Sequence, residues 1–222
     1  MNPSQLFIIG DSIAAYYWPF LDRYLLGRFR LGWRTGLEPN VLQGKGCDTA
    51  TVLAYVRAMA ADAAWQPDWV LLNCGLHDLK VDPPTGARTV PLEEYDRNLQ
   101  AILEALNTVG KSGTDTDSAD EIRLNPRFSC RVIWVRTTPV DDVLHHERNQ
   151  VFDRFERDVT AYNAAADEVM TSAGVPMIDL HEFTRRLEGE VYCDHVHFTQ
   201  AVRQLQAAFI AGHVLSLAEG SC

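Results

Sequence analysis

Long apolar runs are missing from this chain. No stretch approaches the ~20 consecutive apolar residues of a membrane-spanning helix. A basic, apolar leader is missing too: Met1-Asn2-Pro3-Ser4-Gln5 carries no positive side chain, and residues 6–10 are too few for a signal core. The expected location is therefore the cytoplasm, or outside the cell as a mature form whose leader has been removed. Basic charge is scarce, with 20 Lys and Arg against 30 Asp and Glu and a net charge of −10. An acidic body repels phosphate backbones and anionic bilayers, which argues against nucleic acid and membrane as partners. Paired cysteines are absent as well. The five cysteines are odd in number and show no Cys-x-x-Cys spacing, which suits a reducing compartment better than a disulfide framework. No internal repeat and no interdomain linker is visible.

What remains is the composition of a soluble globular unit, 46% hydrophobic and 23% charged over 222 residues. That length suits one domain, 1–222, large enough to bury a core without staples. Strand-like and helix-like segments alternate. Leu6-Phe7-Ile8-Ile9 is a short buried-strand run ended by Gly10, and residues 13–26 follow with a helical apolar face. A second strand is expected at 40–43, then a helix marked by Val52, Leu53, Val56 and Met59. Residues 69–74 form the third strand, and Leu92, Tyr95, Leu99, Ile102, Leu103 and Leu106 the clearest helical stripe. Residues 132–135 are the fourth strand. A stripe through Phe152, Phe155, Val159, Tyr162 and Val169 is the next helix, 175–180 a short fifth strand, and Val202, Leu205, Phe209 and Ile210 a closing helix. Five βα units imply a three-layer αβα sandwich around a flavodoxin-like, parallel five-stranded sheet. A polar segment at about 110–122 has no apolar anchors and is expected to be a disordered surface insertion at the edge of the sheet away from the ligand crevice.

The chemistry collects at the strand ends. The first βα turn carries Gly10-Asp11-Ser12, the second Gly44-Lys45-Gly46-Cys47-Asp48-Thr49, the third Gly75-Leu76-His77-Asp78, and the last loop Asp194-His195-Val196-His197. In strand order 2-1-3-4-5 the first strand lies between the second and third, so Ser12 falls between the Gly46 and His77 turns. A nucleophile, a base and oxyanion donors would then share one crevice, as acyl transfer requires. Taken singly each motif is weak. Gly-Asp-Ser also describes a turn with a helix cap, Gly75 and Asp78 a strand stop, and His197 a structural histidine. Their order, one after each relevant strand, carries the argument.

With these blocks in place the sequence resembles the SGNH or GDSL hydrolases over nearly its whole length. Gly10-Asp11-Ser12 is similar to the first block of that family. Gly46 is similar to the second, and Gly75-x-His77-Asp78 occupies the third, where the family usually has Gly-x-Asn-Asp. Asp194-x-x-His197 with Phe198-Thr199 is similar to the last. Gly75-Leu76-His77-Asp78-Leu79-Lys80 is similar to a bacterial subgroup with His at this place. The resemblance implies a serine esterase in which Ser12 is the nucleophile, His197 its base and Asp194 the group that orients the imidazole. The Ser12 and Gly46 backbone N–H groups and the His77 side chain would hold the oxyanion. Gly44 or the Cys47 backbone could serve in place of Gly46, which is preferred by register. A neutral imidazole at position 77 still offers one N–H. No cofactor is implied.

Three other readings compete. An acyltransferase would use the same triad with an alcohol as acceptor. A metal-dependent hydrolase could draw on Cys47, Cys74, His77, Cys193, His195 and His197, although no pair has tight zinc-motif spacing. A non-catalytic binding module would show a damaged triad, whereas Ser12, Asp194 and His197 are all present. Segments 80–91 and 137–150 should shape the pocket. They hold Lys80, Arg88, His145 and His146 but few large apolar residues, so the expected partner is a small or polar ester, short-chain or acetyl, such as an acetylated sugar. Tyr16, Tyr17 and Trp18 are candidates for the acyl side, against their more ordinary use as core. Nothing in the sequence sets the oligomeric state.

Overall fold

The computed structural model describes residues 3–33, 47–109 and 130–220. Its centre is a parallel sheet of β1 (Ser4–Ile9), β2 (Phe29–Trp33), β3 (Trp69–Leu72), β4 (Arg131–Val135) and β5 (Met177–Ile178), in the order β2-β1-β3-β4-β5. The buried stretches of the three inner strands, residues 6–9, 69–72 and 132–135, are continuous apolar runs because both faces are covered. Leu6, Ile8, Ile9, Val70, Leu72 and Val132 are fully buried, each worth roughly 1.5–3 kcal/mol.

Helices α1 (Ser12–Leu25), α2 (Thr49–Ala60), α3 (Leu92–Leu106), α4 (Asp142–Arg148), α5 (Glu156–Ala173), α6 (Leu180–Arg185) and α7 (Gln200–Glu219) cover the sheet. The packing divides them into two layers. α1 and α6 lie against α7, while α3 lies against α2 and α5. The stripe Tyr95, Leu99, Ile102, Leu103 and Leu106 is the buried face of α3, and Ile13, Tyr17, Leu21 and Leu25 belong to that of α1. This is the α/β architecture, and the strand order, that the βα alternation implies.

Several local expectations change. The strand that flanks β1 is Phe29–Trp33, ten to eleven residues before the expected place; 40–43 and the insertion at about 110–122 lie outside the described residues. Among the described residues β2 is the edge strand, with β1 as its neighbour in the sheet, so it needs no continuous apolar run, and its Phe29-x-Leu31-x-Trp33 alternation is a weaker signal than that of the inner strands. Phe152 and Phe155 do not extend the helix of Val159 and Tyr162. The segment before α5 is extended, because Asp153 and Val81 exchange two backbone hydrogen bonds of 2.9 Å. The run 175–180 yields a two-residue strand, since Asp179 accepts from the Glu182 N–H and starts α6. Segment 137–150 contains α4, capped by Asp141.

The inner strands end level with one another. The Asn73 N–H donates to the Ile9 carbonyl (2.9 Å), and the Asn73 amide donates to the Val135 carbonyl (2.8 Å). The turns after β1, β3 and β4 therefore open on the same edge of the sheet.

Candidate active site

The turn after β1 is tight. A Cβ on Gly10 would lie 2.5 Å from the Ala14 Cβ, so only glycine lets the chain enter α1 this closely. Asp11, 2% exposed, caps the helix by accepting from the Ile13 N–H at 2.9 Å. Burial pushes its carboxyl above the ordinary range, against the pull of that N–H and of the Arg154 charge. Because Asp11 does the capping, Ser12 does not. Ser12 becomes the first residue of α1, half-buried, at the positive end of a 14-residue helix. Its backbone N–H belongs to the first turn, which the helix ladder does not use.

The last loop is closed by a bridge between Tyr192 and Phe198, and the Cys193 N–H donates to the His197 carbonyl at 2.8 Å. Inside it Asp194 folds back on its own backbone. Oδ1 accepts from the N–H groups of Val196 (2.8 Å) and His197 (2.7 Å), while Oδ2 accepts from His197 Nδ1 at 2.6 Å. Burial works against the Asp194 anion, but the backbone donors and the His197 ring outweigh it and hold the carboxyl down at about 2. With the Nδ1 proton engaged by Asp194, Nε2 is left bare and accepts from the Ser12 hydroxyl at 2.8 Å. Tyr16 packs edge-on against the imidazole with centroids 4.8 Å apart, and the Arg203 guanidinium covers Tyr16 at 4.2 Å. His195, next door, is pushed down to about 4 by burial, opposed by Asp194 and helped by His145 and Arg154.

The turn after β3 is built differently. The Cys74 carbonyl accepts from the hydroxyls of Tyr95 (3.2 Å) and Thr137 (3.1 Å). Gly75 adopts φ +143°, and a Cβ there would sit 2.5 Å from the Thr137 hydroxyl. His77 is buried at 7% exposure. Asp78 accepts from both the Thr49 N–H (2.8 Å) and the Thr49 hydroxyl (2.5 Å), and Asn98 donates to that hydroxyl at 3.0 Å. Burial outweighs these bonds and pushes the Asp78 carboxyl up to about 7.

The profile of the GDSL-like lipase/acylhydrolase family matches residues 8–205. The chain belongs to that family. It is an ester hydrolase, of the fold and class that its blocks resemble. In structure the chain is similar to the lipase/acylhydrolase from Enterococcus faecalis, with a TM-score of 0.64, 17% identity and 95% of each chain covered. It is also similar to the native aryl esterase of M. smegmatis (0.66, 15%, covering 96% of this chain and 99% of that one). A third relative in fold is the psychrotrophic esterase EstA from Pseudoalteromonas sp. (0.62, 11%, covering 97% and 99%). No curated protein matches the chain in sequence.

Of the residues expected at a GDSL-type site, Ser12, His197 and Asp194 come together in one hydrogen-bonded line. His77 lies in the turn of the adjacent strand. Gly44 and Gly46 lie outside the described residues, whereas Cys47 is described and buried. Of the three aromatics Tyr16 meets the site; Tyr17 is core, and Trp18 packs partly buried against the core. Among the described residues no group of three or more His, Cys, Asp or Glu is placed to hold a metal ion, and no helix is long and apolar enough to cross a membrane. Sequence reasoning missed Arg154. It is 4% exposed and donates from Nε to the Leu76 carbonyl at 2.7 Å, inside the turn that holds His77. The available signal was an arginine set between Phe152 and Phe155, within what reads as an apolar stripe.

Proposed function

We propose that Ser12, His197 and Asp194 form the catalytic triad of this ester hydrolase, within one domain spanning 1–222. The observation that carries the reading is the unbroken line from the Asp194 carboxylate through the His197 ring to the Ser12 hydroxyl, with bonds of 2.6 and 2.8 Å, the second joining residues 185 positions apart. His197 Nε2 takes the Ser12 proton as Oγ attacks the ester carbonyl carbon. Asp194 stabilises the imidazolium that results. The tetrahedral oxyanion is held by the Ser12 N–H, the His77 side chain and the Gly46 N–H. When it collapses, the carbon–oxygen bond to the alcohol breaks, and His197 gives the alcohol its proton. A water, deprotonated by His197 in turn, attacks the acyl-Ser12 ester and releases the acid, restoring the Ser12 proton. The substrate is a short-chain or acetyl ester of a small polar molecule such as a carbohydrate, a reading supported by the few large apolar side chains in segments 80–91 and 137–150.

A p-nitrophenyl ester series graded by chain length, run alongside acetylated sugars, tests both parts. Ser12→Ala should abolish turnover with its melting temperature kept, and a fluorophosphonate probe should label Ser12. Labelling at another residue, or more than a few per cent of activity left in Ser12→Ala, removes Ser12 from the mechanism. A preference for long acyl chains overturns the substrate class.

A further inference from the structure

The polar side chains bordering the site are mostly occupied. Arg88 pairs with Asp158 at 2.7 Å, and His146 with Asp153 at 3.0 Å. His145, fully buried, sits between the carbonyls of His195 and Phe152, 3.2 Å from each. Lys80 and Arg154 differ from these. Both stand against one aromatic ring, with Lys80 Nζ 4.7 Å and Arg154 Cζ 4.9 Å from the Phe152 centroid. Neither forms an ion pair with a described carboxylate. Arg154 Nη1 is buried and has no hydrogen-bond partner among the described residues.

Such an arrangement is costly. Buried cations are ordinarily paired, and an uncompensated one costs several kcal/mol. Contact with an aromatic face returns only about 0.5–2 kcal/mol. Two cations at one ring also repel each other: burial first, and the Arg154 charge second, lower the Lys80 ammonium to about 8. Burial lowers Arg154 to about 10 in spite of Asp11 and Asp194, both of which are already engaged, one with the Ile13 N–H and the other with His197. Among the described carboxylates, Asp48 and Asp11 favour the Lys80 charge without pairing with it, and Asp82, which lines the same cavity, accepts from the Thr85 hydroxyl, so neither cation has a carboxylate in ion-pair contact. The place is also next to the chemistry. Arg154 grips the Leu76 carbonyl, one residue before His77, and Lys80 follows His77 by three. Lys80 and Phe152 line a cavity of about 270 Å3, which leaves the Lys80 end of the pair open to a ligand.

We propose that Lys80 and Arg154 bind an oxyanion carried by the substrate, so that the preferred ester bears a carboxylate or phosphate beside the scissile bond. This rests on the Ser12 esterase reading. A guanidinium and an ammonium against one ring suit a carboxylate or a phosphate, the first as a planar fork and the second as a point charge. Binding offsets the repulsion between them and supplies a counter-charge in direct contact, which no described carboxylate does.

Two matched pairs of acetate esters test the proposal: 4-acetoxybenzoate against its methyl ester, and 4-acetoxyphenyl phosphate against 4-methoxyphenyl acetate. The wild type should favour at least one anionic member at least tenfold in kcat/KM, and the arm that shows it names the oxyanion. Lys80→Met should reduce that preference about tenfold through KM, and added salt should erode it. Arg154→Lys, which keeps the charge but loses the fork, should reduce it less than Arg154→Met. A direct readout needs no turnover. Calorimetric titration of Ser12→Ala protein with the same anionic esters should show saturable binding that weakens about tenfold once Lys80→Met is added. A wild-type preference near one in both pairs, or a preference untouched by Lys80→Met, overturns the proposal while Ser12-dependent hydrolysis of the neutral esters still stands. If the wild type cleaves none of the four, the esterase reading fails. The calorimetry then decides the oxyanion site alone: binding lost in Lys80→Met supports it, and no binding overturns it. A uniform fall in kcat on all four esters would mean that Arg154 acts only through the charges of Asp11 and Asp194, and would likewise overturn it.

Discussion

Two aspartates stand in turns beside the same crevice, and their surroundings drive them in opposite directions. Asp194 is partly exposed and receives two backbone N–H bonds and an imidazole N–H, so it is held as an anion down to about 2. Asp78 is fully buried and receives one N–H and one hydroxyl from Thr49. Its second oxygen has no partner among the described residues, and its carboxyl rises to about 7. The residue type is the same and both accept from the backbone. The number of donors aimed at the carboxylate, set against the loss of water, decides which one is a standing negative charge and which a near-neutral brace. A catalytic carboxylate must be the former, because its charge is what stabilises a neighbouring imidazolium.

Asp194→Asn breaks the comparison most severely. The amide oxygen can still accept from the loop backbone, so the melting temperature should move little. The negative charge is lost, however, and the His197 tautomer is no longer set, so kcat should fall by roughly 10³–10⁴ with little change in KM. A change in KM alone would make Asp194 a binding residue.

His77→Ala comes next, because it asks whether the Asp78 turn is only a brace. As an oxyanion donor His77 should cost about 10²–10³ in kcat when removed. His77→Asn restores an N–H and should keep far more activity. Equal turnover for the two variants would remove the donor role.

Asp78→Asn sharpens the contrast through stability. A carboxyl that stays protonated in the fold up to about 7, but ionises near 3.8 when unfolded, makes the folded state bind the extra proton between those values. Wild-type stability should therefore fall as pH rises from about 4 to about 7 and level off above. The variant, still able to accept from Thr49, should lose that slope and gain up to a few kcal/mol at pH 8, at about 1.4 kcal/mol per pH unit. Kcat should change only a few-fold. Denaturant melts at pH 4 and pH 8 decide it, and an unchanged slope would mean that Asp78 is not the titrating group.

The smallest effect is expected for Tyr16→Ala. It removes the ring edge from His197, a contact worth about 0.5–1.5 kcal/mol, and should lower kcat no more than about tenfold.

The parts legible in the sequence share a physical cause. Runs buried on both faces, such as Leu6-Phe7-Ile8-Ile9, and stripes such as Tyr95 to Leu106 leave a pattern because a whole segment meets one environment. Ser12, Asp194 and His197 were legible because their blocks sit at strand ends in a recognisable order. β2 lies before the place the sequence suggests, because an edge strand leaves a weaker trace than an inner one. Phe152 and Phe155 have helical spacing, while the two backbone bonds between Val81 and Asp153 hold that segment extended.

By itself the sequence determined the βα alternation and the sheet it implies, which are written in local spacing, while the resemblance of its blocks pointed to the family and to the three residues of the line from Asp194 to Ser12. The tertiary structure alone decided that Asp11 takes over the cap and leaves the Ser12 hydroxyl to His197, and that Asp194 is the charged aspartate and Asp78 the braced one. It also decided that Lys80 and Arg154 meet at Phe152 without a described carboxylate. All three depend on which groups far apart in the chain come within a few ångströms and how much water is removed around them, and neither quantity is carried by the spacing of residues along the chain.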